Sequence, residues 1–340
     1  MKKLALMAAL LCLLLTGCRA VAPLPMEEES APPVVYAIVV KDVENPYMQR
    51  MFEGFAKACE ELGAEAWLTG PEPDATQAET VSRLVDGHVA AIAIAANDPA
   101  EVSDALKKAM NAGIPVVSLD SMVYPGDRMV HIQQASPEMI GRVLIQAGTQ
   151  MIGQGGEIAI LTTTASMPNQ SSWVKWMRHE LEYYPDKYGQ VTLVDTVYGL
   201  DEYDASAEQT RALLRDHPDL ALIIAPTVVG LRAAAMEATA AGSSVKVTGL
   251  GLPSDMEPYI NSGVCPWMYL WNPSEVGYLA AYAAEALVEG SLTGVEGEIV
   301  SAGSLGDKVV TPCEDGGTEI VLGNPKLFDA TNITMWKEVF

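Results

Sequence analysis

From residue 34 onward, the sequence alternates short apolar runs with longer segments whose apolar residues recur at helical spacing. The run at residues 34–40 is continuous and rich in β-branched side chains, as expected of a strand covered on both faces of a sheet. Residues 52–62 then carry apolar side chains three and four positions apart, the pattern of an amphipathic helix. Strand–helix alternation of this kind predicts a parallel sheet with right-handed crossovers, that is, a doubly wound α/β fold.

The first part of the chain continues this pattern without a break. Further strands are predicted at residues 64–69, 89–95 and 114–119, with helices between them. Residues 98–101 read Asp-Pro-Ala-Glu, which combines an acidic N-cap, proline at the first helical position and glutamate three residues on. Asp98 is therefore predicted to cap a helix rather than to bind a ligand.

The same order restarts near Met129. Strands are predicted at residues 157–161, 191–197, 220–225, 245–250 and 264–271, and helices at 139–151, 171–183, 204–217, 228–241, 254–262 and 274–289. We assign residues 34–130 with about 272–300 to the N-terminal lobe, and 131–271 with about 301–340 to the C-terminal lobe. Two lobes joined by a hinge predict a ligand cleft between them, because ligands of such sheets bind outside the carboxyl ends of the strands.

The first residues of the chain predict a location outside the cytoplasm. Lys2 and Lys3 precede an apolar run at residues 4–15, which is the length of a signal-peptide core and short for a membrane span. The run ends in Leu-Thr-Gly-Cys, typical of a bacterial lipobox with Cys18 as the lipidated residue. An ordinary signal peptide with a chance cysteine and a short buried helix are the alternatives. We predict a signal peptide at 1–17 and a lipidated, extended tether at 18–33, rich in proline and glutamate.

Composition excludes several classes of function. The 340 residues carry 44 acidic and 21 basic side chains, a formal net charge of -23, so nucleic acid is excluded as a partner. Four histidines and five cysteines, without CxxC or HxxxH spacing, predict no metal site. The sequence shows no cofactor motif either, since the GxxxxGK[ST] phosphate loop is absent.

Polar and aromatic residues follow the predicted strands at their carboxyl ends. Lys41, Asn45 and Tyr47 follow the first strand, where a cation, an amide and an aromatic ring are suited to a sugar. Asn45 also precedes Pro46 as a helix N-cap would, and both roles can hold. Asp120 follows the fourth strand, where its carboxylate can accept two hydrogen bonds from vicinal hydroxyls.

The second half supplies matching positions. Asn169 and Gln170 open a predicted helix, Pro226 follows a strand, and Trp271 with Asn272 follows the last long strand. Each lies where a cleft between two such lobes would be lined. We predict that these residues bind a ligand together with those of the first half.

The sequence offers no clear set of catalytic residues. No GxSxG elbow occurs in a strand–turn–helix context, and the four histidines are dispersed. We therefore predict a binding protein and no enzyme. A lipid-anchored glycosidase, with Asp120 and a second carboxylate as its pair, is the enzymatic alternative.

Several motifs resemble the type I periplasmic-binding-protein family, the extracytoplasmic receptors of sugar ABC importers. They are the lipobox, Val-Val-Lys-x3-Asn-Pro-Tyr at 39–47, Leu-Asp-Ser at 119–121 and Ala-Pro-Thr-Val-Val-Gly at 225–230. Within the family, the segments 224–230, 248–253 and 270–273 are similar to the rhamnose-binding and autoinducer-2-binding branch. The resemblance implies ligand contacts at Lys41, Asp120, Asn169, Gln170 and the backbone carbonyl of Pro226.

Departures from the family patterns bear on the ligand. Gly249-Leu250-Gly251 stands where the ribose and glucose branch often has Gly-Phe-Asp, which argues against ribose. Asn169 and Val228 replace the Asp and Ala of the autoinducer-2 pattern. We therefore expect rhamnose or another deoxy-sugar, whose methyl group would contact Tyr47, Trp271 or Val228, with autoinducer-2 as the alternative.

The resemblance also implies partners. We expect a monomer that delivers its sugar to an ABC permease and its ATPase, anchored to the membrane by lipid. Presentation of the closed form to a membrane chemoreceptor would use the same pocket, so the sequence leaves that role open.

Overall fold

A computed structural model describes residues 33–72, 75–153, 155–337 and 339. The predicted signal peptide, Cys18 and nearly all of the tether lie outside the described residues. Residues 34–340 separate from residues 1–33 as a unit of their own and contain both predicted lobes. In the part of the chain that the structure describes, no helix has the length and apolar character needed to span a bilayer.

The first lobe is built on a seven-stranded sheet with the strand order β13-β14-β5-β4-β3-β1-β2. Its strands are β1 Val35–Val39, β2 Glu65–Thr69, β3 Ala91–Ile94, β4 Val116–Leu119, β5 Val130–Gln133, β13 Thr311–Pro312 and β14 Thr318–Val321. Its helices are α1 Pro46–Leu62, α2 Gln77–Asp86, α3 Pro99–Asn111 and α10 Pro273–Val288. All neighbouring strands run parallel except β13 and β14, and the buried β3 and β4 lie at the centre.

The second lobe repeats the plan with four parallel strands in the order β7-β6-β8-β9. The strands are β6 Gly156–Thr162, β7 Val191–Tyr198, β8 Leu220–Ala225 and β9 Lys246–Gly249. The helices are α4 Pro137–Met151, α5 Pro168–Tyr183, α6 Pro185–Tyr188, α7 Tyr203–Asp216, α8 Val228–Ala240 and α9 Pro253–Ser262. An antiparallel pair of β10 Trp267–Leu270 and β15 Lys326–Asp329 adjoins it, followed by α11 Ile333–Trp336. The prediction of two doubly wound parallel-sheet lobes is confirmed.

Capping residues begin several helices where the sequence indicated. The Asn45 side chain accepts hydrogen bonds from the backbone N–H groups of Tyr47 and Met48 at the start of α1. Asp98 accepts from Ala100 N at the start of α3, as predicted.

The strand pairing differs from the predicted lobe boundaries in two segments. Strand β5 lies in the first sheet, whereas the sequence predicts residues 131–133 in the C-terminal lobe. The tail returns to the first lobe, where β11 Ile299–Ser301 and β12 Asp307–Val309 form a hairpin and β14 pairs with β5. The chain therefore crosses between the lobes three times, at about residues 134–136, 271–272 and 322–325. The lobe that each segment joins depends on backbone pairing between strands that lie far apart in sequence. Local hydrophobic periodicity carries no information about that pairing.

Candidate ligand-binding site

The carboxyl-end loops of both sheets meet around a cavity between the lobes. Eight of the nine residues predicted from the sequence line it: Lys41, Asn45, Tyr47, Asp120, Asn169, Gln170, Pro226 and Trp271. The ninth, Asn272, is not among the described residues that line the cavity. Its side chain caps α10 by accepting from Ser274 N and also donates to Glu275, so its position near the cleft serves the helix.

Asp120 is the centre of the polar network. Lys41 Nζ lies 2.7 Å from its Oδ2, which also accepts from Asn169 Nδ2 at 3.2 Å. Its Oδ1 accepts from the Tyr47 hydroxyl at 3.2 Å and from Gln134 Nε2 at 3.4 Å. The carboxylate is 3% exposed, so the Lys41 cation next to it compensates a charge that water scarcely reaches. The contact from Asn169 comes from the second lobe and joins the two walls of the cavity.

Asn169 and Gln170 lie in the first turn of α5, which places both side chains at the cavity. The Gln170 carbonyl Oε1 accepts from the Thr162 hydroxyl at 2.6 Å and from Thr163 N at 3.1 Å. Because its oxygen is held by the protein, the amide N–H groups are the hydrogen-bonding capacity that Gln170 retains in the cavity lining.

Aromatic side chains form another wall. Trp271, at the second crossing between the lobes, donates its indole N–H to the Tyr47 hydroxyl at 2.6 Å. Its ring meets that of Trp173 edge-on at 5.8 Å between centroids. Burial and the Asp120 charge raise the pKa of Tyr47 well above its usual value, so the phenol stays protonated. Leu250 and Leu270 extend this apolar wall.

Asp201 lines the cavity and was missed in the sequence reading. It follows β7 after Gly199 and Leu200, at a strand's carboxyl end just as Asp120 does, and that position was the available signal. Its Oδ2 accepts from Asn45 Nδ2 of the first lobe at 3.1 Å, and its Oδ1 accepts from the Thr227 hydroxyl. Burial raises the pKa of the Asp201 carboxyl above its usual value, and the Asp120 charge adds to this.

The site provides hydrogen-bond acceptors, donors and an aromatic wall between two lobes. Among the described residues, no three His, Cys, Asp or Glu side chains cluster as metal ligands. A doubly wound, two-lobed chain with a lined interlobe cavity defines a cleft-type ligand-binding protein. The chain belongs to the type I periplasmic binding protein family, whose model, described as "Periplasmic binding protein domain", matches residues 36–292.

Solved structures and curated relatives agree with this membership. An ABC transporter solute-binding protein from Clostridium phytofermentas with bound L-rhamnose is 38% identical, with a TM-score of 0.87, over 91% of this chain and 100% of that chain. LsrB from Clostridium saccharobutylicum in complex with AI-2 is 24% identical, with a TM-score of 0.82, over 89% and 99%. The D-ribose/D-allose-binding protein of Pseudomonas aeruginosa is 24% identical over 77% of this chain and 85% of its own length. These relatives confirm a binding protein rather than an enzyme.

Proposed function

We propose that this chain is the extracytoplasmic substrate-binding protein of a sugar ABC importer and that it binds L-rhamnose or a related deoxy-sugar. The observation that carries the proposal is the composition of the cavity, in which Asp120, Lys41, Asn169 and Gln170 line the same space as the aromatic side chains of Tyr47 and Trp271. A sugar ring has hydroxyls for the polar groups and C–H faces for aromatic rings.

The choice of a deoxy-sugar rests on two further points. The structure that is 38% identical over most of this chain holds L-rhamnose. The cavity also offers apolar contacts for a methyl group at Val228, Leu250 and Trp271. The likeness to LsrB supports the fold, and AI-2 serves as a competing ligand in the test below.

The test is a calorimetric titration of the purified protein with L-rhamnose, L-fucose, D-ribose, D-xylose, D-glucose, D-galactose and AI-2. We expect L-rhamnose to bind most tightly and to raise the melting temperature, because a ligand that binds only the folded state stabilises it. Asp120→Asn should weaken L-rhamnose by roughly tenfold to a hundredfold, since a hydrogen bond to a charged group contributes about 1.5–3 kcal/mol. Asp98→Asn is the matched control, because asparagine caps a helix as well as aspartate does. Tighter binding of AI-2 or of another panel sugar would contradict the proposed ligand.

We also propose that the chain is anchored by lipid at Cys18, as a monomer that docks on a permease with its ATPase. Membership of the periplasmic binding protein family implies an extracytoplasmic location. Fatty-acid labelling in cells tests the anchor: the wild type should take up label and Cys18→Ala should not. Labelling of the variant would exclude Cys18 as the lipidated residue.

A further inference from the structure

We propose that Asp201 is a ligand-contacting residue that determines specificity, accepting a hydrogen bond from one sugar hydroxyl on the side of the cavity contributed by the second lobe. This inference rests on the proposed function, because it names a further contact within the same sugar site. Asp120 and Asp201 would then hold the sugar from opposite lobes.

The backbone at Asp201 supports this role. Four described non-glycine residues have positive φ. Two of them, Asp120 at 58° and Asp201 at 59°, line the cavity, and Leu200, at 57°, directly precedes Asp201. The left-handed region is unfavourable for such residues, and strain of this kind concentrates at binding sites. Leu200 is 56% exposed, so its side chain gains little packing from the left-handed backbone conformation. The result of the turn is that the Asp201 carboxylate lies at the cavity.

The hydrogen-bond capacity of the two carboxylates also differs. An ionised carboxylate has about four acceptor positions. Asp120 accepts from four protein donors, Lys41, Tyr47, Gln134 and Asn169, so a sugar hydroxyl binds it by replacing one of these donors. Asp201 accepts from Asn45 and Thr227 and therefore keeps capacity for a ligand hydroxyl.

Position adds a third argument. Asp201, Asn45 and Val228 line both the cavity and a wider outer groove between the lobes. A ligand entering from the groove passes Asp201. Among the described residues that line the cavity, the carboxylates of Asp120 and Asp201 outnumber the Lys41 cation, which disfavours an anionic sugar. A role limited to holding the lobes together through Asn45 is the competing explanation, and the experiment separates the two.

The experiment is a calorimetric titration with L-rhamnose and with the set of its monodeoxy analogues, each lacking one ring hydroxyl. Asp201→Gly removes the carboxylate at a position whose φ suits glycine, and Asp201→Asn keeps the shape if the glycine variant folds poorly. Glu202→Gln is the matched control. It removes one negative charge from the residue next to Asp201, and the Glu202 side chain is exposed and lines the outer groove.

We expect Asp201→Gly to weaken L-rhamnose by about tenfold or more. We also expect one monodeoxy analogue, the one that lacks the contacted hydroxyl, to bind the wild type and the variant equally. The loss should persist in an Asn45→Ser background, where serine still caps α1 but cannot supply the amide donor.

Two results would overturn the inference while leaving the proposed function intact. One is unchanged affinity in the Asp201 variants. The other is an equal loss for L-rhamnose and every analogue, which would leave Asp201 only its contact between the lobes. A wild type that binds no sugar of the panel would contradict the proposed function itself, and the inference with it.

Discussion

His131 shows how a single buried polar residue is accommodated in the first sheet. It lies on β5 with no exposed surface, its Nδ1 2.8 Å from the Ser118 hydroxyl and its Nε2 3.1 Å from Gln133 Oε1. Burial lowers its pKa from 6.5 to about 3, and the nearby Arg128 cation acts in the same direction. The folded protein therefore keeps this imidazole neutral in conditions where the unfolded chain protonates it.

A dependence of stability on pH follows. Between pH 6.5 and about 3 the unfolded state binds a proton at His131 that the folded state does not, so this residue makes the protein less stable as pH falls. The contribution approaches about 1.4 kcal/mol per pH unit in this window. Urea unfolding of wild type and His131→Gln across the window should give a shallower slope for the variant.

The control for this measurement is His88→Asn. His88 is exposed and has a φ of 55°, which asparagine tolerates. This variant should keep the wild-type slope. Equal slopes for wild type and His131→Gln would show that His131 does not titrate differently in the folded and unfolded states.

Among the secondary-structure elements, helices α1 and α10 pack together through glycines. A Cβ at Gly277 would lie 1.9 Å from the backbone carbonyl of Met51, and one at Gly54 would lie 1.8 Å from that of Ser274. The two helix backbones thus approach more closely than any side chain allows. Because α10 follows Trp271 at the second crossing between the lobes, this contact fixes that crossing against the first lobe.

Gly277→Ala should therefore destabilise the protein. Alanine favours a helix over glycine by up to about 1 kcal/mol, but forcing backbones apart in a packed core costs typically 1–3 kcal/mol or more, so the steric cost dominates. The free energy of unfolding in urea measures the difference. Gly323→Ala is the control, since nothing lies within 4 Å of a Cβ at that position. A variant as stable as this control would show that α10 shifts without cost.

For the whole molecule, the important feature is that the lobes touch through the site. Asn45 contacts Asp201, and Asn169 contacts Asp120, each across the cleft. Three chain crossings join the lobes, so a hinge motion would bend the chain at these segments. The contacts on a bound sugar are complete only when both walls meet, so binding should favour the closed form.

Small-angle scattering should accordingly show a smaller radius of gyration with saturating L-rhamnose than without it. Asp120→Asn at the same sugar concentration is the comparison, because weakened binding should leave its radius near that of the free protein. An unchanged radius for saturated wild type would argue against closure on the ligand.

Much of the site follows from local sequence. Continuous apolar runs specify buried parallel strands, and parallel strands present their carboxyl ends along one edge of a sheet. That rule alone placed Lys41, Asn45, Tyr47 and Asp120 around one cavity, and capping chemistry identified Asp98. Their role in binding sugar remains a prediction.

The tertiary structure decided the rest. Strand β5 reads Val-His-Ile-Gln and lacks an apolar run, and it is a strand because β4 and β14 pair with it and its polar side chains find partners. Asp201 reaches the cavity because of a left-handed turn, and Asn272, whose side chain caps α10, is not among the described residues that line the cavity. Periodicity and caps are local properties that a sequence carries. The pairing of distant strands and the direction of a side chain after a strained turn depend on atoms far away in the chain, so only the folded molecule determines them.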